Sequence, residues 1–288
     1  MQSWNDIYFT SRDGLRLYAR HYPVPGSPRR PAVCLAGLTR NSRDFHDLAA
    51  ALATQDEAGR DVYCLDYRGR GRSQHDPDWK NYSILVELND VLDFMTMRGL
   101  HNAAIVGTSR GGLLTMLMGV LRPGAIGAVV LNDIGPIIER EGLARIVAYV
   151  GRVPLPATWK EATELVTEMN RRQFPAVSAE QWAEFARQVF NDDNGLPAPS
   201  YDPNLSKAIS LLSGELPDLW PQFEALNHAP MLALRGENSD ILSRATFAAM
   251  QQRHPRLRAV TVPGQGHAPL LQDPPTINAI ATFLARTD

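Results

Sequence analysis

The stretch that most limits what this chain can fold into is "AAIVGTSRGGLL", residues 103 to 114. An apolar run of strand length ends in Gly107-Thr108-Ser109-Arg110-Gly111, and a second apolar run follows at once. A buried strand that passes directly into a helix leaves its turn residue in a strained backbone conformation. Glycines two residues to either side remove the side chains that would collide across the bend, and Gly112 lets the helix pack close to the sheet. The turn residue, Ser109, then projects its hydroxyl from the carboxyl end of the strand. The free N–H groups and positive dipole end of the new helix lie behind it.

The rest of the chain supplies a sheet for that strand to join. "DIYFT" and "LRLYARHY", joined at Asp13-Gly14, read as an antiparallel hairpin. "PAVCLAG", "DVYCLDYRGRGRS", "AAIVGT" and "AIGAVVLNDIG" are apolar strands separated by helical patterns, one with Ser42 as its expected N-cap and one stopping at Gly99. Apolar strands alternating with helices predict a mostly parallel sheet covered on both faces. From 136 to about 228 the pattern is helical and broken by Pro and Gly, and "NDDNGLPAPSYDPNL" reads as a polar loop. Strands resume at "PMLALRGENSD" and "LRAVTVPGQGHAPLL", with helices near 243 to 253 and over "TINAIATFLART".

A serine hydroxyl is a weak nucleophile and needs a base. Of the seven histidines, His267 in "VPGQGHAPLL" follows the last expected strand and so shares the sheet edge of Ser109. His254 and His101 fall at the opposite edge, and His21, His46, His75 and His228 read as surface or packing residues. The base in turn needs an orienting carboxylate. Asp240 in "LRGENSD" is favoured, and Asp133 in "VVLNDIGP" is its rival at the end of the preceding strand. The chain order Ser109, Asp240, His267 suits a nucleophile elbow followed by acid and histidine. A tetrahedral oxyanion would be met by the backbone amides of Arg110 and Leu38, the latter just after Gly37.

With these motifs in place the chain resembles the α/β-hydrolase fold superfamily. "GTSRGG" is similar to its elbow, "DYRGRGRS" to the loop after its fourth strand, "LRGENSD" to its acid loop and "GQGHAPLL" to its histidine loop. The resemblance implies an α/β architecture: an eight-stranded, mostly parallel sheet flanked by helices. It further implies a core at 1–134 and 229–288 and an inserted helical cap at 135–228. It makes Arg68, Ser73 and Asp66 structural. Many relatives place His-Gly before the oxyanion loop, where this chain has Ala36-Gly37. Relatives that displace halides or open epoxides carry Asp at the nucleophile position, so Ser109 points away from both.

The expected activity is hydrolysis of small to medium carboxylic esters through an acyl-enzyme. The alternatives are a carbon–carbon bond hydrolase of ring-cleavage dienoates, whose members commonly have Asn where Thr108 stands, and a non-catalytic small-molecule receptor. Arg40, Trp159 and Trp182 are candidates for substrate contact, Phe174, Phe185, Phe190 and Tyr201 for an apolar pocket. Arg110 would meet a substrate carboxylate or a cap acid. Neither Cys34 nor Cys64 has a partner at metal-ligand spacing, and both read as buried thiols, so no cofactor or metal is expected. A net charge of −2 gives no case for nucleic acid. No apolar stretch is long enough for a membrane span, and the polar start does not read as a signal peptide, so a cytoplasmic location is expected.

Overall fold

The computed structural model describes residues 3–54, 59–210 and 217–288. Residues 211–216, inside the expected insertion, lie outside them. In chain order the elements are β1 (Asn5–Thr10), β2 (Arg16–Tyr22), β3 (Ala32–Leu35), α1 (His46–Thr54), β4 (Val62–Asp66), α2 (Ile84–Met97), β5 (Ala103–Thr108), α3 (Arg110–Leu121) and β6 (Ile126–Asn132). A segment then carries α4 (Arg140–Tyr149), α5 (Trp159–Asn170), α6 (Ala179–Val189), β7 (Asn191–Asp193), β8 (Leu196–Ala198), α7 (Leu205–Ser210) and α8 (Trp220–Glu224). β9 (Met231–Gly236), α9 (Arg244–Arg253), β10 (Leu257–Val262) and α10 (Pro274–Ala285) complete the chain.

The sheet has eight strands in the order β1-β2-β4-β3-β5-β6-β9-β10. β1 and β2 pair antiparallel and β2 meets β4 antiparallel, while every pairing from β4 to β10 is parallel. β5 therefore runs near the middle, covered on both faces. Its side chains alternate between two cores: Ala103 and Ile105 pack on one face, Ala104 and Val106 on the other. Burying each such Ile or Val side chain stabilises the fold by about 1.5–3 kcal/mol. This two-sided burial explains why the central strands are apolar throughout.

Local details refine the sequence reading. The first helical stretch is capped by Asn41, whose side chain accepts from the Arg43 amide, and not by Ser42. The Ser42 amide instead donates to the buried carboxylate of Asp66 at 2.6 Å. The polar stretch after α6 is a small hairpin, β7-β8, not a loop. Asn194 and Gly195 both take positive φ, 52° and 86°, at its turn. The Asn-Gly pair was the available signal for this hairpin, but the short, polar flanking strands do not show apolar alternation.

Candidate active site

Ser109 sits between β5 and α3 with φ 50° and ψ −113°, left-handed backbone that a non-glycine residue adopts only at a cost. The bend is held by close packing. A Cβ on Gly107 would lie 2.7 Å from the Gly111 carbonyl carbon, and one on Gly111 only 2.0 Å from the Leu35 carbonyl oxygen. The Ser109 amide donates to the Asn132 carbonyl at 3.1 Å, and its own carbonyl accepts from Gly112 and Leu113. The hydroxyl is thus fixed by backbone contacts to both neighbouring elements.

The loop after β10 brings His267 to it. His267 Nε2 lies 2.8 Å from Ser109 Oγ. Asn132 braces this approach, its amide donating to Thr108 Oγ1 at 3.1 Å and to the Pro269 carbonyl at 2.9 Å. The side chain at position 108 is therefore tied to the end of β6.

The carboxylate facing the imidazole is that of Asp133: its Oδ2 lies 2.8 Å from His267 Nδ1. This corrects the expectation for Asp240. Asp133 directly follows β6, at a left-handed position of φ 56°, and is fully buried. It accepts from the Gly236 amide at 2.7 Å and from Ser239 Oγ at 2.6 Å. An ionised carboxylate only accepts, so His267 Nδ1 donates to it and Nε2 is left as the acceptor for the Ser109 hydroxyl. Asp240 stands further along the neighbouring loop, with both oxygens taken by Arg145 Nε and Nη2 at 2.6 and 3.0 Å. Burial works to raise its carboxyl, but Arg145 outweighs this and holds it below its ordinary value. Nothing in the sequence marked Arg145, which reaches Asp240 from α4, more than 90 residues away.

A Cβ built on Gly37 would lie 3.9 Å from Ser109 Cβ, so the loop after β3 passes beside the hydroxyl. The Leu38 amide meets no acceptor among the described residues. The Arg110 amide is in the first turn of α3, where helical bonding leaves N–H groups free.

A cavity of about 420 Å³ opens on these groups. Leu38, Ser109 and His267 line it from the sheet side, and Tyr149, Val166 and Phe185 from α4, α5 and α6. Trp182 also reaches the cavity, but Trp159 does not: its Nε1 donates to the Gly195 carbonyl and its ring carries Arg187. Arg40 lines the cavity with its guanidinium forked onto Asp44 and stacked 4.5 Å from the Phe185 ring. Arg110 turns the other way, to Glu87 of α2 at 2.6 Å, so its partner is a core acid. Phe174 lines the cavity, whereas Phe190 packs behind it and Tyr201 accepts from the Gly151 amide. Among the described residues no group of three or more His, Cys, Asp or Glu side chains is placed to hold a metal. No helix among them is long and apolar enough to cross a membrane.

A family model described as the alpha/beta hydrolase family matches residues 32–280. The chain is 33% identical over 283 residues to the 3-hydroxybutyrate-oligomer hydrolase of Cupriavidus necator, covering 94% of this chain and 93% of that one. It is 26% identical over 277 residues to an sn-1-specific diacylglycerol lipase of Mus musculus, covering 91% and 83%. A crystal structure of an alpha/beta hydrolase from Novosphingobium aromaticivorans superimposes with a TM-score of 0.92 at 41% identity, over 99% of each chain.

Proposed function

The chain belongs to the alpha/beta hydrolase family, and on that premise we propose that it is a serine hydrolase of carboxylic esters acting through Ser109, His267 and Asp133. The observation that carries this reading is the unbroken hydrogen-bonded line from Ser109 Oγ through both ring nitrogens of His267 to Asp133. His267 Nε2 takes the Ser109 proton as Oγ attacks the ester carbonyl. The oxyanion that forms is met by the Leu38 and Arg110 amides. His267, now imidazolium and stabilised by Asp133, gives its proton to the leaving alcohol. Water then loses a proton to the same nitrogen as it attacks the acyl carbon, the bond to Ser109 Oγ breaks, and His267 returns that proton to Oγ as the acid leaves.

The helical segment between β6 and β9 acts as a cap, since α4, α5 and α6 wall the cavity that Ser109 faces. That cavity suits a short or medium acyl group. The names of the Cupriavidus and mouse relatives, an oligomer hydrolase and a lipase, support ester substrates, and the former favours short hydroxyacyl esters and their oligomers.

The test is a panel of p-nitrophenyl esters, 3-hydroxybutyrate oligomers, lactones and vinylogous 1,5-diketones, together with a fluorophosphonate label mapped to its residue. Label on Ser109 and turnover of the esters, both lost in Ser109→Ala, support the reading. Turnover confined to the diketones would move the protein to carbon–carbon hydrolysis. Ester turnover that survives unchanged in Ser109→Ala would remove Ser109 as nucleophile.

A further inference from the structure

Ala36 stands where many relatives carry a histidine beside the oxyanion loop, so other groups must hold the Leu38 peptide. The structure supplies them. Tyr67 Oη donates to the Ala36 carbonyl at 3.2 Å, and Arg70 Nε donates to the Leu38 carbonyl at 2.9 Å. These two bonds bracket the Gly37–Leu38 peptide, whose N–H meets no acceptor among the described residues and whose Leu38 lines the cavity. The carbonyl of that peptide accepts from the Arg40 amide at 3.1 Å.

Arg70 is itself held by a carboxylate. Its Nη1 donates to the Arg68 carbonyl at 2.7 Å and lies 2.7 Å from Glu87 Oε1 as an ion pair without hydrogen-bond geometry, and both side chains are fully buried. The other oxygen of Glu87 accepts from Arg110 Nε at 2.6 Å. Arg110 follows Ser109 in the chain, and its amide is the second oxyanion donor. One buried carboxylate on α2 therefore pairs by charge through one oxygen with the arginine that holds the Leu38 loop, and accepts through the other a hydrogen bond from the arginine that begins α3.

We infer that Glu87 is a positioning residue for the oxyanion site, setting the placement of the Leu38 amide through Arg70 and of the Arg110 amide through the Arg110 side chain. The inference rests on the serine-hydrolase reading above. A buried ion triad is a poor device for stability alone, because well-packed apolar side chains of similar volume often serve as well. Here its arms reach the carbonyl of Leu38 and the side chain of Arg110, the two residues whose N–H groups must converge on one oxygen, and small displacements of such donors cost rate.

The same helix offers a control. Asp90, one turn beyond Glu87, accepts from Arg68 Nε and Nη2 at 2.8 Å each, and Arg68 also pairs with Asp76 and Asp13. That cluster is also largely buried and meets Arg70 through the Arg68 carbonyl, which accepts from Arg70 Nη1 at 2.7 Å, but among the described residues none of its carboxylates bonds to the Leu38 loop or to Arg110.

The experiment compares Glu87→Gln, Arg70→Lys and Asp90→Asn in the full chain. It measures kcat and KM on a p-nitrophenyl ester, the affinity of a boronic acid that forms a tetrahedral serine adduct, and the melting temperature. Arg70→Lys keeps the charge beside Glu87 and removes the Nε donor to Leu38, so it stays informative if Glu87→Gln does not fold. We expect Glu87→Gln and Arg70→Lys to lower kcat by about 10- to 100-fold with little change in KM, and to weaken the boronate by a similar factor. Asp90→Asn should lower the melting temperature while leaving kcat within about threefold. A kcat unchanged in folded Arg70→Lys, or lost equally in Asp90→Asn, overturns the inference. Absence of fluorophosphonate label on wild-type Ser109 instead overturns the serine-hydrolase reading, and the inference with it.

Discussion

Arg145 closes both of its forked donors on the carboxylate of Asp240, joining α4 to the loop after β9. The two side chains are 34% and 25% exposed, so solvent screens the pair and it is worth about 1 kcal/mol or less. Arg145→Met should therefore lower the melting temperature by no more than about 4 °C and leave kcat within about threefold. Thermal unfolding and ester kinetics on the one variant check both. A loss of kcat by orders of magnitude would mean that the pair does more than hold α4 in place.

The elbow makes a sharper stability prediction. A Cβ on Gly111 would meet the Leu35 carbonyl oxygen at 2.0 Å, and that oxygen belongs to a central strand that has nowhere to move. Gly111→Ala should destabilise the protein by about 3 kcal/mol or more. Gly124, around which a new Cβ would touch nothing within 4 Å, is the matched control. Denaturant titration of Gly124→Ala should be indistinguishable from wild type.

Phe185 bounds the cavity and stacks beneath Arg40. Its removal lengthens the space open to an acyl chain, and each methylene newly buried contributes about 0.8 kcal/mol. Phe185→Ala should raise the octanoyl-to-butyryl ratio of kcat/KM by about tenfold. An unchanged ratio would place the acyl chain elsewhere in the cavity.

Acid stability should carry the mark of Arg68. Its hydrogen bonds hold the Asp13 carboxyl at about 2, below the ordinary 3.8. A depressed carboxyl stabilises the fold above its unfolded value and loses that contribution as pH falls through its folded one. The wild type should therefore exceed Asp13→Asn in stability at pH 5, and the gap should close between pH 4 and about 2. Asp13 is 42% exposed, which limits the gap to about 1 kcal/mol. Asp90, whose carboxyl burial raises, acts with the opposite sign, so the comparison has to be made between the two proteins. Urea unfolding at four pH values measures it, and a gap independent of pH would contradict the assignment.

The mostly parallel α/β sheet and the meeting of Ser109 with His267 were legible in the sequence because each follows from local patterning and backbone rules. A glycine-flanked turn fixes where Ser109 points, and a glycine-rich loop after the last strand returns His267 to the same edge. The carboxylate was harder to read. Asp133 and Asp240 follow adjacent strands, β6 and β9, and both emerge at that edge. The choice between them is made by distant groups: Ser239 and the Gly236 amide gather around Asp133, while Arg145 of the inserted segment occupies Asp240. Aromatic character alone makes Trp159 a cavity candidate, yet its ring lies against the β7-β8 turn. Which face of α5 points inward is decided by packing against α6, which periodicity in one helix does not report. The hold on the Leu38 loop was hidden for the same reason, since Arg70 and Glu87 meet only in the fold.

The most direct measurement is kcat of Asp133→Asn beside Asp240→Asn, on one ester and with folding checked for both. Asp133→Asn should lower kcat by about 10³- to 10⁴-fold, because His267 loses the partner that fixes its tautomer, while Asp240→Asn should stay within about tenfold of wild type. The reverse order, with Asp133→Asn active and Asp240→Asn inactive, would contradict the account.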